Sequence, residues 1–157
     1  MVNVSLESKN EFSVIGKKTF ITGLEQFSEF WKASHDNGLI ERLNRIRKNY
    51  GSPVTKGTHI GLSCTEADPD DRNFNFFICV EYPNAPDIFE DLEVHQVKSF
   101  HWAVFSKQST EISALFDCEM DAFKEWLPLS KYKHDFGPEM EVYHDDKIEF
   151  WLPVIEK

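Results

Sequence analysis

The chain has 157 residues, 27 acidic against 17 basic, and a formal net charge of −10, a length suited to one domain with an adequate core. At 41% hydrophobic and 14% aromatic, with fourteen Phe and four Trp, its composition lies far from that of disordered chains. The acidic balance removes the electrostatic term behind most nucleic-acid affinity and disfavours anionic membrane surfaces, which excludes a dedicated DNA or RNA binder and leaves cationic or neutral partners.

Met1 to Glu11 alternates polar and apolar residues and has no apolar run of signal-peptide length. No stretch approaches the roughly 18 apolar residues of a membrane span, so a cytoplasmic protein without a membrane partner is expected. Phe12 to Thr22 reads as a first strand, broken by Gly23. Phe27, Phe30, Trp31 and Ser34 then share one helical face, Asp36-Asn37-Gly38 interrupts the helix, and Leu39, Leu43 and Ile46 resume it up to the Tyr50–Pro53 turn. Thr58 to Cys64 is a short strand and Thr65 to Arg72 a polar loop. Phe74 to Tyr82 is the strongest strand, with Phe74, Phe76, Ile78 and Val80 on one face and Asn75, Phe77, Cys79 and Glu81 on the other.

Leu92 to Val97 and Phe100 to Lys107 read as two further strands, antiparallel neighbours. Thr110 is a candidate N-cap for a second helix. Its buried side carries Ile112, Leu115, Phe116, Phe123 and Trp126, and it stops at Trp126-Leu127-Pro128. Met140 to Tyr143 and Ile148 to Ile155 form a closing hairpin across His144-Asp145-Asp146. The order strand, helix, strand, strand thus occurs twice, over about 12–83 and 92–155, with Leu92 to Val97 as an extra strand. The expectation is a single α+β domain: an antiparallel sheet with two helices, built from tandem pseudo-symmetric modules.

Little in the sequence suggests catalysis by a known motif. The six His residues are scattered, without HxH, HExxH or a Cys/His cluster; His95 and His101 alone fall on neighbouring predicted strands, and no metal site or cofactor is expected. Cys64, Cys79 and Cys118 have no CxxC spacing and read as buried reduced thiols. Asp68, Asp70 and Asp71 lack the pattern of a calcium loop and read as a solvated turn. Glu139, Glu141 and Tyr143 differ, because alternation puts them on one strand face in an aromatic neighbourhood. A carboxylate among rings needs a cation or a donor; otherwise its pKa rises and it becomes a general acid or base. Solvent-facing glutamates on an edge strand fit the same pattern.

The C-terminal stretch, with Trp126-Leu127-Pro128, Ser130, Tyr132, Pro138-Glu139-Met140-Glu141-Val142-Tyr143 and Leu152-Pro153-Val154, resembles the closing segment of the GyrI-like small-molecule-binding family. Phe27 to Leu43, with Trp31 and Gly38, is similar to that family's first helix, and Phe74 to Tyr82 to its aromatic third strand. The resemblance implies paired strand-helix-strand-strand modules and a bacterial effector-binding domain of the kind found in multidrug-sensing transcription regulators, here in stand-alone form without a helix-turn-helix. It implies a ligand groove where the modules meet, a central Glu at Glu141 and a helix Trp at Trp31. Phe27, Phe77, Trp102 and Tyr143 are the other candidate walls, although Phe27, Trp31 and Trp102 also fit plain core packing. The ligand class implied is a small hydrophobic or cationic molecule. Two alternatives stay open: a hydrolase of cyclopropane-bearing toxins using Glu141 and Tyr143, and an interaction protein that protects DNA gyrase through its acidic surface. Phe77 stands where the family often has Tyr, which removes a hydroxyl that a hydrolase could use.

Overall fold

The computed structural model describes residues 1–64 (Cys64 by its backbone), 74–83, 89 and 91–157. Among these, nine strands form one antiparallel sheet: β1 (Asn3–Lys9), β2 (Phe12–Ile21), β3 (His59–Cys64), β4 (Phe74–Glu81), β5 (Glu93–Val97), β6 (Phe100–Lys107), β7 (Tyr132–His134), β8 (Glu139–Tyr143) and β9 (Ile148–Glu156). Their order is β1-β6-β9-β8-β3-β4-β2-β5, with β7 paired to β9. Counted outward from the β8–β3 seam, the two halves correspond: β3, β4, β2, β5 on one side and β8, β9, β6, β1 on the other. The fold is α+β with the tandem symmetry expected. The short β7 and the exposed edge strand β1 are additions.

Helices α1 (Glu25–Asp36) and α2 (Leu39–Tyr50) follow β2. The start of α1 has no Ser, Thr or Asp cap. Instead the Gln26 side-chain oxygen reaches back and accepts from the backbone N–H groups of Thr22, at 2.5 Å, and Gly23, at 2.8 Å, which fixes the turn leading into the helix. The predicted break is made by Gly38 at φ 84, a left-handed conformation that glycine adopts without steric cost. Helix α3 (Ile112–Met120) begins after Glu111 rather than Thr110 and runs directly into a π-helical stretch, Asp121–Trp126, and a final turn, Leu127–Leu129. Pro128 therefore does not end the helix at Trp126: it sits in the last turn, and Ser130 returns to extended backbone.

The sheet has two buried faces. Ile15, Ile21, Phe74, Phe76, Ile78 and Val80 pack under α1 and α2, while Phe105, Ile148, Phe150 and Leu152 pack under α3. On the opposite face Val14, Phe77, Cys79, Trp102, Met140 and Trp151 form a separate core. The expected pairing of β5 with β6 does not occur: β5 pairs with β2, and β6 with β1 and β9. Favoured two-residue hairpin turns need positive φ, and among described non-glycine residues only Lys56 has it, so Lys98-Ser99 is no such turn. The link fixes the sheet's shape instead. In a flat sheet, six strand spacings would part β5 from β6 by about 29 Å, yet Val97 and Phe100 are three Cα steps apart, at most about 11 Å. The sheet must curl, and the Trp102 core lies within the curl. Cys79 and Cys118 are buried thiols outside any disulfide; burial pushes Cys118 up to about 11.

At the end of β4, the buried Glu81 carboxylate accepts from the backbone N–H of Val54 (3.0 Å), that of Thr55 (2.8 Å) and the Thr55 hydroxyl (2.8 Å). It ties the α2–β3 connection, and so the start of β3, to the sheet. Glu81→Ala strands three buried donors and is expected to lower stability by about 2 kcal/mol in urea denaturation. A loss below about 0.5 kcal/mol would show that the connection is held by other contacts.

Candidate functional site

The floor of the site is the β3–β8 seam. The register sets His59 opposite Tyr143, Gly61 opposite Glu141 and Ser63 opposite Glu139. Directly opposed residues point to the same face, so β3 and β8 lay down a double row of polar or small residues. The face is the one under the helices: Met140 and Val142, the alternate residues of β8, belong to the curled core instead. Helices α1 and α3 stand over the two halves, and between them and the seam lies a cavity of about 1060 Å³, at the upper end of the range of small-molecule sites.

Aromatic rings supply much of its apolar wall. Phe27 meets Phe76 edge-on with centroids 5.0 Å apart, and Trp31 meets Tyr143 edge-on at 5.4 Å. Phe74, Phe116 and Phe123 complete the aromatic lining. The rim is apolar and open: Leu24 is 85% exposed, Ile112 57% and Phe116 56%. Ile112 and Phe116 are thus not core residues, as helix periodicity predicts, but edges of the opening.

The polar lining is acidic. Glu119, Glu139 and Glu141 all face the cavity, with His35 and His59, and among the described residues no Lys or Arg lines it. Tyr143 donates its hydroxyl hydrogen to Glu141 Oε2 at 2.5 Å. Burial pushes the Glu141 carboxyl up to about 8; the Tyr143 hydrogen bond opposes this, and Glu119 and Glu139 push further up. Burial raises the Tyr143 hydroxyl as well, with the Glu141 charge behind it, so Tyr143 remains a proton donor. Glu139 is differently placed. His134 Nε2 lies 2.9 Å from Glu139 Oε2, and His134 Nδ1 lies 2.5 Å from the Asp135 carbonyl. His134 therefore bridges the Glu139 carboxyl and the Asp135 carbonyl. Among the described residues, Glu141 is the acid of the β8 row without a basic partner at hydrogen-bond distance.

Of the residues singled out in the sequence, Glu141, Tyr143, Trp31 and Phe27 come together around this cavity. Phe77 and Trp102 do not. Both lie in the core on the opposite face of the sheet, 4% and 0% exposed, because alternation turns Phe77 away from Phe76, and Trp102 away from Ala103 and Phe105 under α3. His95 packs on the Phe77 ring and His101 Nδ1 on Ser8 Oγ, each on a different part of the sheet. Asp68, Asp70 and Asp71, read above as a solvated turn, lie outside the described residues.

Sequence reasoning passed over Gly61 and Glu119. A Cβ on Gly61 would lie 2.7 Å from Phe76 Cζ and 2.8 Å from Glu141 Oε2, so glycine makes the space the carboxylate occupies. Glu119 follows Ile112, Leu115 and Phe116 and precedes Phe123 at helical spacing, so an acid on an apolar stripe was its signal.

No helix among the described residues is long and apolar enough to cross a membrane. No curated protein sequence matches the chain. Solved structures share its fold. SAV2435 bound to tetraphenylphosphonium aligns with TM-score 0.79 at 20% identity, covering 98% of this chain and 94% of that one. A putative bacterial transcription regulation protein from Staphylococcus aureus Mu50 aligns with TM-score 0.73 at 19% identity, covering 97% of each chain. The Vibrio cholerae integron cassette protein VCH_CASS2 aligns with TM-score 0.69 at 15% identity, covering 97% and 95%. A family model, Cass2, matches residues 5–154, nearly the whole chain. The chain belongs to the Cass2 family of integron-associated effector binding proteins.

Proposed function

We propose that this protein binds hydrophobic organic cations in the seam cavity, with Glu141 meeting the charge and Trp31, Phe27 and Tyr143 enclosing the apolar body. The observation that carries this reading is a carboxyl held among aromatic rings in a large cavity that, among the described residues, no Lys or Arg lines. Such a carboxyl is costly to ionise while the cavity is empty, and a bound cation offsets that cost, with the rings adding cation–π attraction. That SAV2435, a neighbour in fold, was solved with tetraphenylphosphonium is consistent with this ligand class.

Proton linkage supplies the test. With Glu141 raised to about 8, the empty site is largely protonated at neutral pH, and a cation must displace that proton. Affinity for a cation of fixed charge is expected to rise about tenfold per pH unit below 8 and to level off above it. Stability of the empty protein runs the other way. Below the usual glutamate value of 4.5, folded and unfolded chains both hold the proton. Between 4.5 and about 8 only the folded chain does, so each rise in pH favours unfolding, and above 8 the loss is complete. Titrations with tetraphenylphosphonium at several pH values measure the first trend. An affinity independent of pH across this range would remove Glu141 from the site.

A further inference from the structure

The way the two helices enter fixes the shape of the cavity. Ile21, the last residue of β2, lies opposite Phe74, and Ser63 lies opposite Phe76, so α1 sets out from the Ser63–Glu139 end of the seam. Its rings trace the direction: Phe27 lies beside Phe74, centroids 6.1 Å apart, and Trp31, one turn on, meets Tyr143 at the far end. β6 ends at Lys107 opposite Ile148, which in turn lies opposite Tyr143, so α3 sets out from the Tyr143 end. The two helices therefore run antiparallel on either side of the seam. Lining positions extend from Leu24 to His35 along the first and from Ile112 to Phe123 along the second, which makes the cavity a slot about 16 Å long.

The charge of this slot is at its middle and its exposed apolar side chains are at its ends. Glu141 is the central residue of β8, and Glu119, two turns into α3, is close enough for its charge to act on Glu141 and Tyr143. Glu139, at one end, is bonded to His134. Leu24 stands exposed at that end, Ile112 and Phe116 at the other. We propose that the slot selects elongated cations that carry the charge at their middle, with an apolar arm on each side, over isomers that carry it at one end. The proposal rests on the cation reading of the cavity and narrows its ligand class to a shape. An end-charged amphiphile seated on Glu141 fills one half of the slot and sends its surplus tail past the lip into water; seated elsewhere, it gives up Glu141.

The test is calorimetric titration of the full chain, at neutral pH, with dihexyldimethylammonium and undecyltrimethylammonium, isomers of identical formula and charge. Each hexyl arm reaches about 8 Å, half the slot. The two-armed isomer is expected to bind at least about ten-fold tighter, the cost of leaving about two methylene groups of the longer tail in water. Leu24→Ser and Ile112→Ser change exposed positions and are each expected to weaken the two-armed isomer about three-fold or more. The single tail of the other isomer lies over one lip, so at most one of these variants weakens it. Equal affinities in the wild type, or a loss of two-armed binding confined to one variant, overturns the proposal. If the isomers bind equally and both are lost in Glu141→Gln, shape selectivity fails while the cation reading stands. Tetraphenylphosphonium binding where neither isomer does has the same meaning. Binding of none of the three cations overturns both.

Discussion

Glu141→Gln is expected to raise the dissociation constant for a lipophilic cation at least about 30-fold, the loss that follows when one partner of a desolvated charge pair is removed. The substitution keeps the shape of the side chain, and the Gln carbonyl still accepts from Tyr143, which now donates to Glu141 at 2.5 Å. Nothing in the packing of β8 against β3 and β9 depends on the charge. The variant should therefore fold and melt at a higher temperature than the wild type above pH 8, because it lacks a carboxyl that burial disfavours in its ionised form. Paired thermal melts and titrations read both effects. A variant that binds as tightly as wild type would place the ligand elsewhere.

Gly61→Val carries the second large effect. Valine suits a strand better than glycine, so propensity alone forecasts a gain in stability. The structure reverses that forecast, since the new Cβ alone would come within 2.8 Å of Phe76 and of the Glu141 carboxylate. Phe76 cannot yield easily: it is fully buried and touches Phe27, Phe30 and Trp31 edge-on. Overpacking of this kind costs about 1–3 kcal/mol, and the displaced carboxylate should lose the cation as completely as Glu141→Gln does. Chemical denaturation and titration of the variant check the two halves separately. A Val variant that is more stable than wild type and binds normally would show that the seam has room to spare.

The alternation of Phe74–Tyr82 and of Glu139–Tyr143 made the two faces of the central strands legible, because a period of two follows from the pleat itself. The same alternation already opposed Phe77 to Phe76. It was the resemblance, not the pattern, that put Phe77 among the walls, and the curled core explains where it belongs. Trp102 looked like a candidate because a large ring signals a site as readily as a core; what removes it from the cavity is closure of the sheet, which depends on which strands pair and is not written in any one of them. The π-helical turn at Asp121–Trp126 was hidden because a wider turn leaves no trace in an α-helical period. Ile112 and Phe116 read as core because an apolar side chain marks a rim as readily as a core, and the buried face of α3 runs instead through Ala114, Leu115 and Cys118. His59 and Gly61 gain meaning only through register, as the residues facing Tyr143 and Glu141 across the seam. Glu119 was visible in principle, as a charge on an apolar stripe.

A bound cation should replace the proton of Glu141. Calorimetric titration with tetraphenylphosphonium at neutral pH, repeated in buffers of different ionisation enthalpy, counts the protons released per ligand bound. Close to one proton is expected from the wild type, whose Glu141 titrates near 8, and none from Glu141→Gln. Binding that releases no proton from the wild type would contradict the account.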